Sequence, residues 1–392
     1  MKQLLTRMTA FAAAVMISAA CLAGCGSAIG KSDYDKTAVV LDGEKYSFAE
    51  AKLYIYASQY MIEQSSEYVI AYMYGDYEKF WEEENNGSTY YQMNYIEGLN
   101  KLFQTKRLLK KAAADGITLT ADELAKVDAA LLSFKEERAS VVEAAECSDE
   151  LLKQFLTENA LANKTYLAMV ADVDTSFDAE TFRRKNEEGV YVTAKTEKPA
   201  AETEEASAEA EEGTEAEETA AEPYTEEEQK AAREAAAKDI LARLEAGEAV
   251  TDIVSSYSDS ETVNVFSTGA LTIAPEDAAE EGAELTGYRQ LAWTLSTGET
   301  GTIDVVSSST SQTVTTYMIR CINDDDPDLR KSAEDSELAT RKSTLFADRY
   351  KELCDLYSKY HVYDDVIATT KKVIPLYHSE MMNQVQGTQA AE

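Results

Sequence analysis

The chain has 392 residues and a formal charge of -35 at pH 7, with 72 acidic side chains against 37 basic ones. That balance excludes a surface built to hold nucleic-acid phosphates, because such affinity comes from neutralising phosphates with Lys and Arg. It also implies solubility and repulsion from anionic lipid.

The first residues address the compartment. Lys2 and Arg7 precede an apolar run from Met8 to Ala20, which is short for a membrane span and matches a signal-peptide core. The run closes on Leu22-Ala23-Gly24-Cys25, which resembles the lipobox of bacterial lipoproteins. The resemblance implies a signal peptide over 1–24, a lipid thioether on Cys25 and a flexible spacer over 25–36, with the mature chain held at the outer face of the cell membrane. The plain alternative is an ordinary signal peptide that happens to contain Cys25. The mature length suggests two or three domains. Beyond Cys25 the cysteines are Cys147, Cys321 and Cys354, too widely spaced for a disulfide framework or a zinc site, so buried free thiols are expected.

Ala38 to Tyr46 alternates around Asp42-Gly43, a hairpin signal. Ser47 and Glu50 then open a helix through Phe48, Leu53, Ile55, Tyr56 and Tyr60. A break at Asn85-Asn86-Gly87 precedes a second helix from about Thr89 to Ala114, stopped by Gly116. Thr120 and Glu123 cap a third helix to about Glu146, and Ser148 opens a fourth through Leu167. A short helical piece is expected over Ala179 to Glu187, followed by a strand from Val190 to Lys195.

That strand runs into an acidic, low-complexity tract over 197–224, which cannot offset its own ordering entropy and reads as disordered or transiently helical. Thr225 and Glu228 cap a helix ended by Gly247. Then come "VTDIVSSYSDSE", a turn at Gly269-Ala270-Leu271, the helix "GYRQLAWTL", and strands at Thr302 to Val306 and Val314 to Ile322. Asp324 to Pro327 breaks the pattern before a final helix from Leu329 to Tyr360, the stretch "HVYDDVI" and a short helical end.

Four pieces between Val190 and Asn323 are similar, in order, to a parvulin-type peptidyl-prolyl isomerase domain. They are the strand entering "KTE", the helix and turn "ILARLEAGEAVTDIVSSYSDSE", the segment "STGAL", and "LAWTLSTGETGTIDVV" followed by "TYMIRCIN". With the lipobox and the helical segments, the whole chain resembles the PrsA and SurA type of extracytoplasmic foldase. The resemblance implies an α+β architecture. A discontinuous helical SurA-like chaperone domain, from 37–189 and 326–378, would hold an inserted parvulin-like domain over 190–325, a small antiparallel sheet flanked by helices. A tail would follow over 379–392.

The resemblance also implies site residues. The two positions that are histidine in active parvulins fall at Tyr191 and Tyr317, a slipped register putting Lys195 in place of Tyr191. The Cys or Asp position falls at Ser260, and the proline seat falls at Tyr288, with Leu285 and Trp293 nearby. Rotating a prolyl amide means crossing a resonance barrier of ~18–20 kcal/mol, for which no nucleophile or cofactor is required. Tyrosine can donate a hydrogen bond but is bulkier than imidazole and has a pKa near ~10. The expectation is a parvulin fold with weak or absent isomerase activity, used to hold extended peptide; plain core packing of Tyr191 and Tyr317 is the alternative. The implied partners are unfolded or nascent secreted polypeptides and, through Cys25, the bilayer, with room for a homodimer. No nucleic acid, metal or cofactor is expected.

Two other features need weighing. Tyr54, Tyr56, Tyr60, Tyr68, Tyr72, Tyr74, Tyr77, Tyr90, Tyr91 and Tyr95 crowd one segment with Phe80 and Trp81; they would suit a lining for unstructured clients or a helix–helix core. His361 lies near Asp364 and Asp365, a thin case for a metal ligand beside the simpler reading of a solvated histidine. A substrate-binding lipoprotein would need two lobes of alternating strands and helices, which the long helical first half opposes. A surface adaptor without affinity for unfolded chains is the other rival.

Overall fold

The computed structural model describes residues 36–199, 222–279, 286–306, 313–363 and 376–377. The signal peptide over 1–24, Cys25, residues 200–221 of the acidic tract, Leu285, Asp364, Asp365 and the tail over 379–392 lie outside the described residues. The chain divides into two compact units, one of Met1–Val173 with Arg341–Glu392, the other of Asp174–Thr340.

The first unit begins with a hairpin, β1 (Thr37–Leu41) and β2 (Glu44–Ser47). Asp42 and Gly43 both take left-handed backbone, φ 49° and 85°, as a two-residue turn joining right-twisted strands requires. The opposite edge of β1 is filled by β9 (Tyr360–Val362), so residues from the two ends of the sequence share one sheet in the order β2-β1-β9. The Ser47 hydroxyl accepts from the Glu50 amide at 3.2 Å and starts α1 (Phe48–Ser65). A single π-helical turn, Ile70–Tyr74, leads to α2 (Tyr77–Glu82) and a small hairpin of β3 (Glu84–Asn85) and β4 (Ser88–Thr89). Then follow α3 (Tyr90–Asp115), α4 (Ala121–Glu137), α5 (Ala139–Ala145) and α6 (Asp149–Met169). The helix expected to run unbroken to Glu146 is interrupted at Arg138, whose guanidinium lies over the rings of Tyr60 and Phe134, 5.3 Å from each centroid.

Leu53, Ile55, Leu99, Leu102 and Leu152 fill the core of this unit. Gly98 lets α3 approach α1: a Cβ there would lie 2.6 Å from the Ile55 Cα. Lys106 is buried between Glu50 and Glu158, its ammonium 2.5 Å from Glu158. Leu353 packs with Leu108, Ala162 and Met169. It comes from α11 (Pro327–Leu356), the helix whose second half belongs to this unit.

The crowded tyrosines split by location. Tyr54, Tyr56 and Tyr60 are core, and Tyr74, Tyr77, Tyr90 and Tyr91 pack partly buried around Phe80 and Trp81. Tyr68 and Tyr72 stand in solvent at 65% and 57% exposure, their rings 4.8 Å apart. His361 is a strand residue opposite Val40, its ring against Tyr363. Among the described residues no cluster of three or more potential metal ligands occurs, and no helix is long and apolar enough to cross a membrane.

The second unit is built on a four-stranded antiparallel sheet of order β6-β5-β8-β7. Its strands are β5 (Lys185–Ala194), β6 (Val263–Ile273), β7 (Thr300–Val306) and β8 (Val314–Asn323). Two expectations are corrected here. The segment 179–187 is not helical: β5 starts at Lys185, because Lys185 and Glu187 are buried strand residues whose polarity hides them from a hydrophobic pattern. Gly269 is not a turn between elements but part of a bulge inside β6, with φ 72°. The extra residue there shifts the alternation by one, so that Leu271 and Ile273 face the same side as Phe266.

Helices cover both faces. Val190, Val192, Val263, Val265 and Met318 pack against α7 (Glu226–Glu245) and α8 (Val250–Ser256). Arg320 ties that layer together. Its guanidinium donates to the Leu244 carbonyl at 2.9 Å and the Glu248 carbonyl at 3.1 Å, and it pairs with Glu188. A short helix, α9 (Pro275–Ala279), precedes α10 (Thr286–Thr294). On the other face α10 seats Tyr288, Ala292 and Leu295 on Ile273, Ile319 and Cys321. Gly301 of β7 makes room for Leu291, whose methyl would lie 3.1 Å from a Cβ there.

Candidate functional site

The face under α10 is only partly covered. Beyond the helix, one residue from each strand falls in register across the sheet: Phe266 opposite Tyr191, Tyr191 opposite Tyr317, Tyr317 opposite Ile303. Same-face neighbours on adjacent strands are close enough for ring contact. Tyr191 and Phe266 stack at 5.1 Å between centroids, and Tyr191 and Tyr317 lie at 5.6 Å with planes tilted 35°. Tyr288 from α10 closes the row, edge-on to Tyr317 at 5.1 Å. Phe266 is 45% exposed and Tyr191 and Tyr317 are half-buried, whereas Tyr288 is buried. The result is a shelf of ring faces open to solvent at one end and walled by a helix at the other.

Beneath the wall lies a polar cluster within the same layer. Glu187 is fully buried and stands opposite Cys321, and its carboxyl oxygens lack a well-formed hydrogen bond. Burial raises its pKa from 4.5 to about 7, an effect eased by the Cys321 thiol and the Lys185 ammonium. Burial and the neighbouring Glu187 push the Cys321 thiol up to about 12, so it stays protonated and can donate. Lys185, also buried, donates a hydrogen bond to the Leu295 carbonyl, and its ammonium lies 5.4 Å from the Trp293 ring centroid. Burial likewise raises the Tyr288 phenol, with the Thr268 hydroxyl on its other side; Thr268 sits in the bulge and donates to the Gly189 carbonyl at 3.1 Å.

Tyr191, Tyr317 and Tyr288 are therefore in one row. Register places Tyr191 opposite Tyr317, and Lys195 lies past the end of β5, its amide bonded to the Thr262 carbonyl. Trp293 is on the same helix as Tyr288 but is held between the Arg183 and Lys185 cations, each 5.4 Å from its ring. Ser260 occupies the turn before β6, where its hydroxyl accepts from the Val263 amide at 3.3 Å. Cys321 is buried; Cys147 and Cys354 are half-buried, and all three are free.

Phe266, Lys185 and Glu187 escaped the sequence reading. Phe266 was legible in principle, since Val263 and Val265 alternate with it. Lys185 and Glu187 carry no such signal.

Chemically the shelf offers ring faces and neutral phenols rather than a nucleophile with its base. Each aromatic contact is worth about 0.5–1.5 kcal/mol beyond simple burial, and the half-buried Tyr191 and Tyr317 carry hydroxyls that can donate a hydrogen bond.

No family model matches the chain, and no curated protein matches it. Among solved structures, the foldase protein PrsA of Lactococcus lactis aligns over 89% of this chain and 99% of its own, at 13% identity and a TM-score of 0.26. PrsA of Streptococcus pneumoniae aligns over 77% of this chain and 97% of its own, at 11% identity and a TM-score of 0.21. Likeness that loose establishes neither a shared fold nor a shared function.

Proposed function

We propose that the chain is a protein-folding factor that holds extended segments of unfolded secreted polypeptide. On this reading the sheet unit, Asp174–Thr340, is parvulin-like, and the first unit, in which chain before Asp174 joins chain after Thr340, is the helical chaperone part. Cys25 is the lipid anchor, which would place the molecule at the extracytoplasmic face of the membrane. The observation that carries the reading is the half-open row Phe266–Tyr191–Tyr317–Tyr288.

The row gives contact area and hydrogen-bond donors without an imidazole, so holding outweighs catalysis. Lowering a prolyl barrier tenfold in rate needs about 1.4 kcal/mol of preference for the twisted amide, and a single phenol donor supplies about 0.5–1.5 kcal/mol.

The test has two arms. The purified chain should slow aggregation of a reduced secreted client, and replacing Tyr191 and Phe266 with Ala should weaken this while leaving the melting temperature within a few degrees. In a protease-coupled assay on a proline peptide, turnover should be near background. Robust turnover that disappears in Tyr288→Ala would overturn the holding role; no effect on client aggregation would overturn the folding-factor reading altogether.

A further inference from the structure

In the first unit, side chains of three residues hold the backbone of the dipeptide Leu376–Tyr377. Glu63 Oε2 accepts from both of its amides, at 2.7 Å each. The Tyr77 hydroxyl donates to the Tyr377 carbonyl at 2.7 Å, and the Ser140 hydroxyl donates to the Leu376 carbonyl. Each backbone N–H and C=O of the pair thus has a side-chain partner. Leu376 is 1% exposed and joins the core with Phe48 and Tyr60, while the Tyr377 ring meets Tyr60 edge-on at 5.5 Å. Its hydroxyl faces Glu67 at 3.4 Å, one residue before the exposed Tyr68.

Glu63 itself is fully buried, and its other oxygen accepts from Gln59 Nε2 at 2.8 Å and Trp81 Nε1 at 2.9 Å. A buried carboxylate persists only when its lone pairs are filled by donors. Half of the donors to Glu63 come from Leu376 and Tyr377. With that pair gone, Oε2 would face a dry interior without a proton to accept. The slot therefore demands an occupant that presents two consecutive N–H groups, and it selects a branched apolar residue followed by an aromatic one. A carboxylate reading backbone amides is indifferent to which chain supplies them. Extended polypeptide is the ligand chemistry that meets all of these conditions, and folded proteins seldom expose two adjacent free amides beside apolar side chains.

We propose that this slot is a second polypeptide-binding site, filled in the resting molecule by the chain's own Leu376–Tyr377 and open to exchange with an apolar–aromatic pair in an unfolded chain. The proposal rests on the folding-factor reading only for the source of the competing chain.

The probe is a labelled, end-blocked peptide of residues 373–379, Val-Ile-Pro-Leu-Tyr-His-Ser, followed by fluorescence anisotropy. The receptor is the full chain with Leu376→Gly and Tyr377→Gly, which weakens the resident occupant without shortening the protein. Saturable binding is expected, at least about tenfold tighter than to the unaltered chain, whose own tail competes by its high effective concentration. Adding Glu63→Gln should weaken it about tenfold or more, as loss of a charge-assisted acceptor for two amides implies. Glu63 belongs to the first unit and Tyr191 to the second, so binding lost on Glu63→Gln belongs to this slot and not to the sheet shelf. Absence of binding, or binding indifferent to Glu63→Gln, overturns the proposal. So does loss of cooperative unfolding in the Leu376→Gly, Tyr377→Gly chain, since the pair would then be a fixed part of the core.

Discussion

Replacing Glu187 with Gln should stabilise the second unit, by an amount that grows as pH rises from about 4.5 and levels off above about 7. The carboxyl is fully buried, and burial lifts its pKa from 4.5 to about 7. Below about pH 4 the group is protonated in both folded and unfolded chains and makes no difference. Between 4.5 and about 7 the unfolded chain releases a proton that the folded unit keeps, so the folded state binds more protons and stability falls as pH rises. Above about pH 7 the loss is complete. At about 1.4 kcal/mol for each unit of pKa, it amounts to about 3 kcal/mol. Gln has the same shape and no charge, so the variant should recover most of that, less what Lys185 forfeits when its neighbour is neutral: about 2–3 kcal/mol at pH 8 and close to nothing at pH 4. Hydrogen exchange of the β5 and β8 amides reads the stability of this sheet directly, and the wild-type-minus-variant difference at pH 4, 6 and 8 removes every other titrating group. Near the melting point the gain corresponds to about 4–12 °C for a unit of this size. A difference that does not depend on pH, or a variant weaker at pH 8 than the parent, would refute the buried-charge account.

Two further substitutions probe the packing that sets the shelf and the slot in place. Gly98→Ala should destabilise the first unit by about 1–3 kcal/mol or more, because the new Cβ would meet the Ile55 backbone at 2.6 Å with no flexible side chain to move aside; a urea midpoint unchanged from the parent would show that α1 and α3 can separate freely. Arg320→Ala should cost about 2–3 kcal/mol in the second unit, since the Leu244 and Glu248 carbonyls and Glu188 all lose a charged donor. Arg320→Lys should recover little, as one ammonium cannot span three acceptors held by a planar fork; full recovery by Lys would mean that charge alone matters there.

Local signals in this chain proved direct. Thr120 with Glu123 and Thr225 with Glu228 form reciprocal caps, and Asp42-Gly43 makes its hairpin turn, because each depends on atoms a few residues apart. Strand limits were less legible where buried residues are polar. Lys185 and Glu187 look like surface in a one-dimensional pattern, and the bulge at Gly269 breaks the alternation by which β6 could have been recognised. Glu63 gave no hint of its role, for three of its four donors lie eighteen or more residues away, at Trp81, Leu376 and Tyr377.

By itself, then, the sequence determined where the helices with a side-chain cap start, where the first turn falls and that the middle of the chain holds a sheet. Those outcomes follow from propensities and side-chain-to-backbone bonds that close within one turn. Only tertiary structure decided that Tyr191 rather than Lys195 stands opposite Tyr317, that Phe266 extends the row, that β9 completes the sheet begun by β1, and that Leu376–Tyr377 lies on Glu63. Each of these is a pairing between distant segments, and strand register and burial of a charged group are settled by which partners arrive, not by the residue's own chemistry.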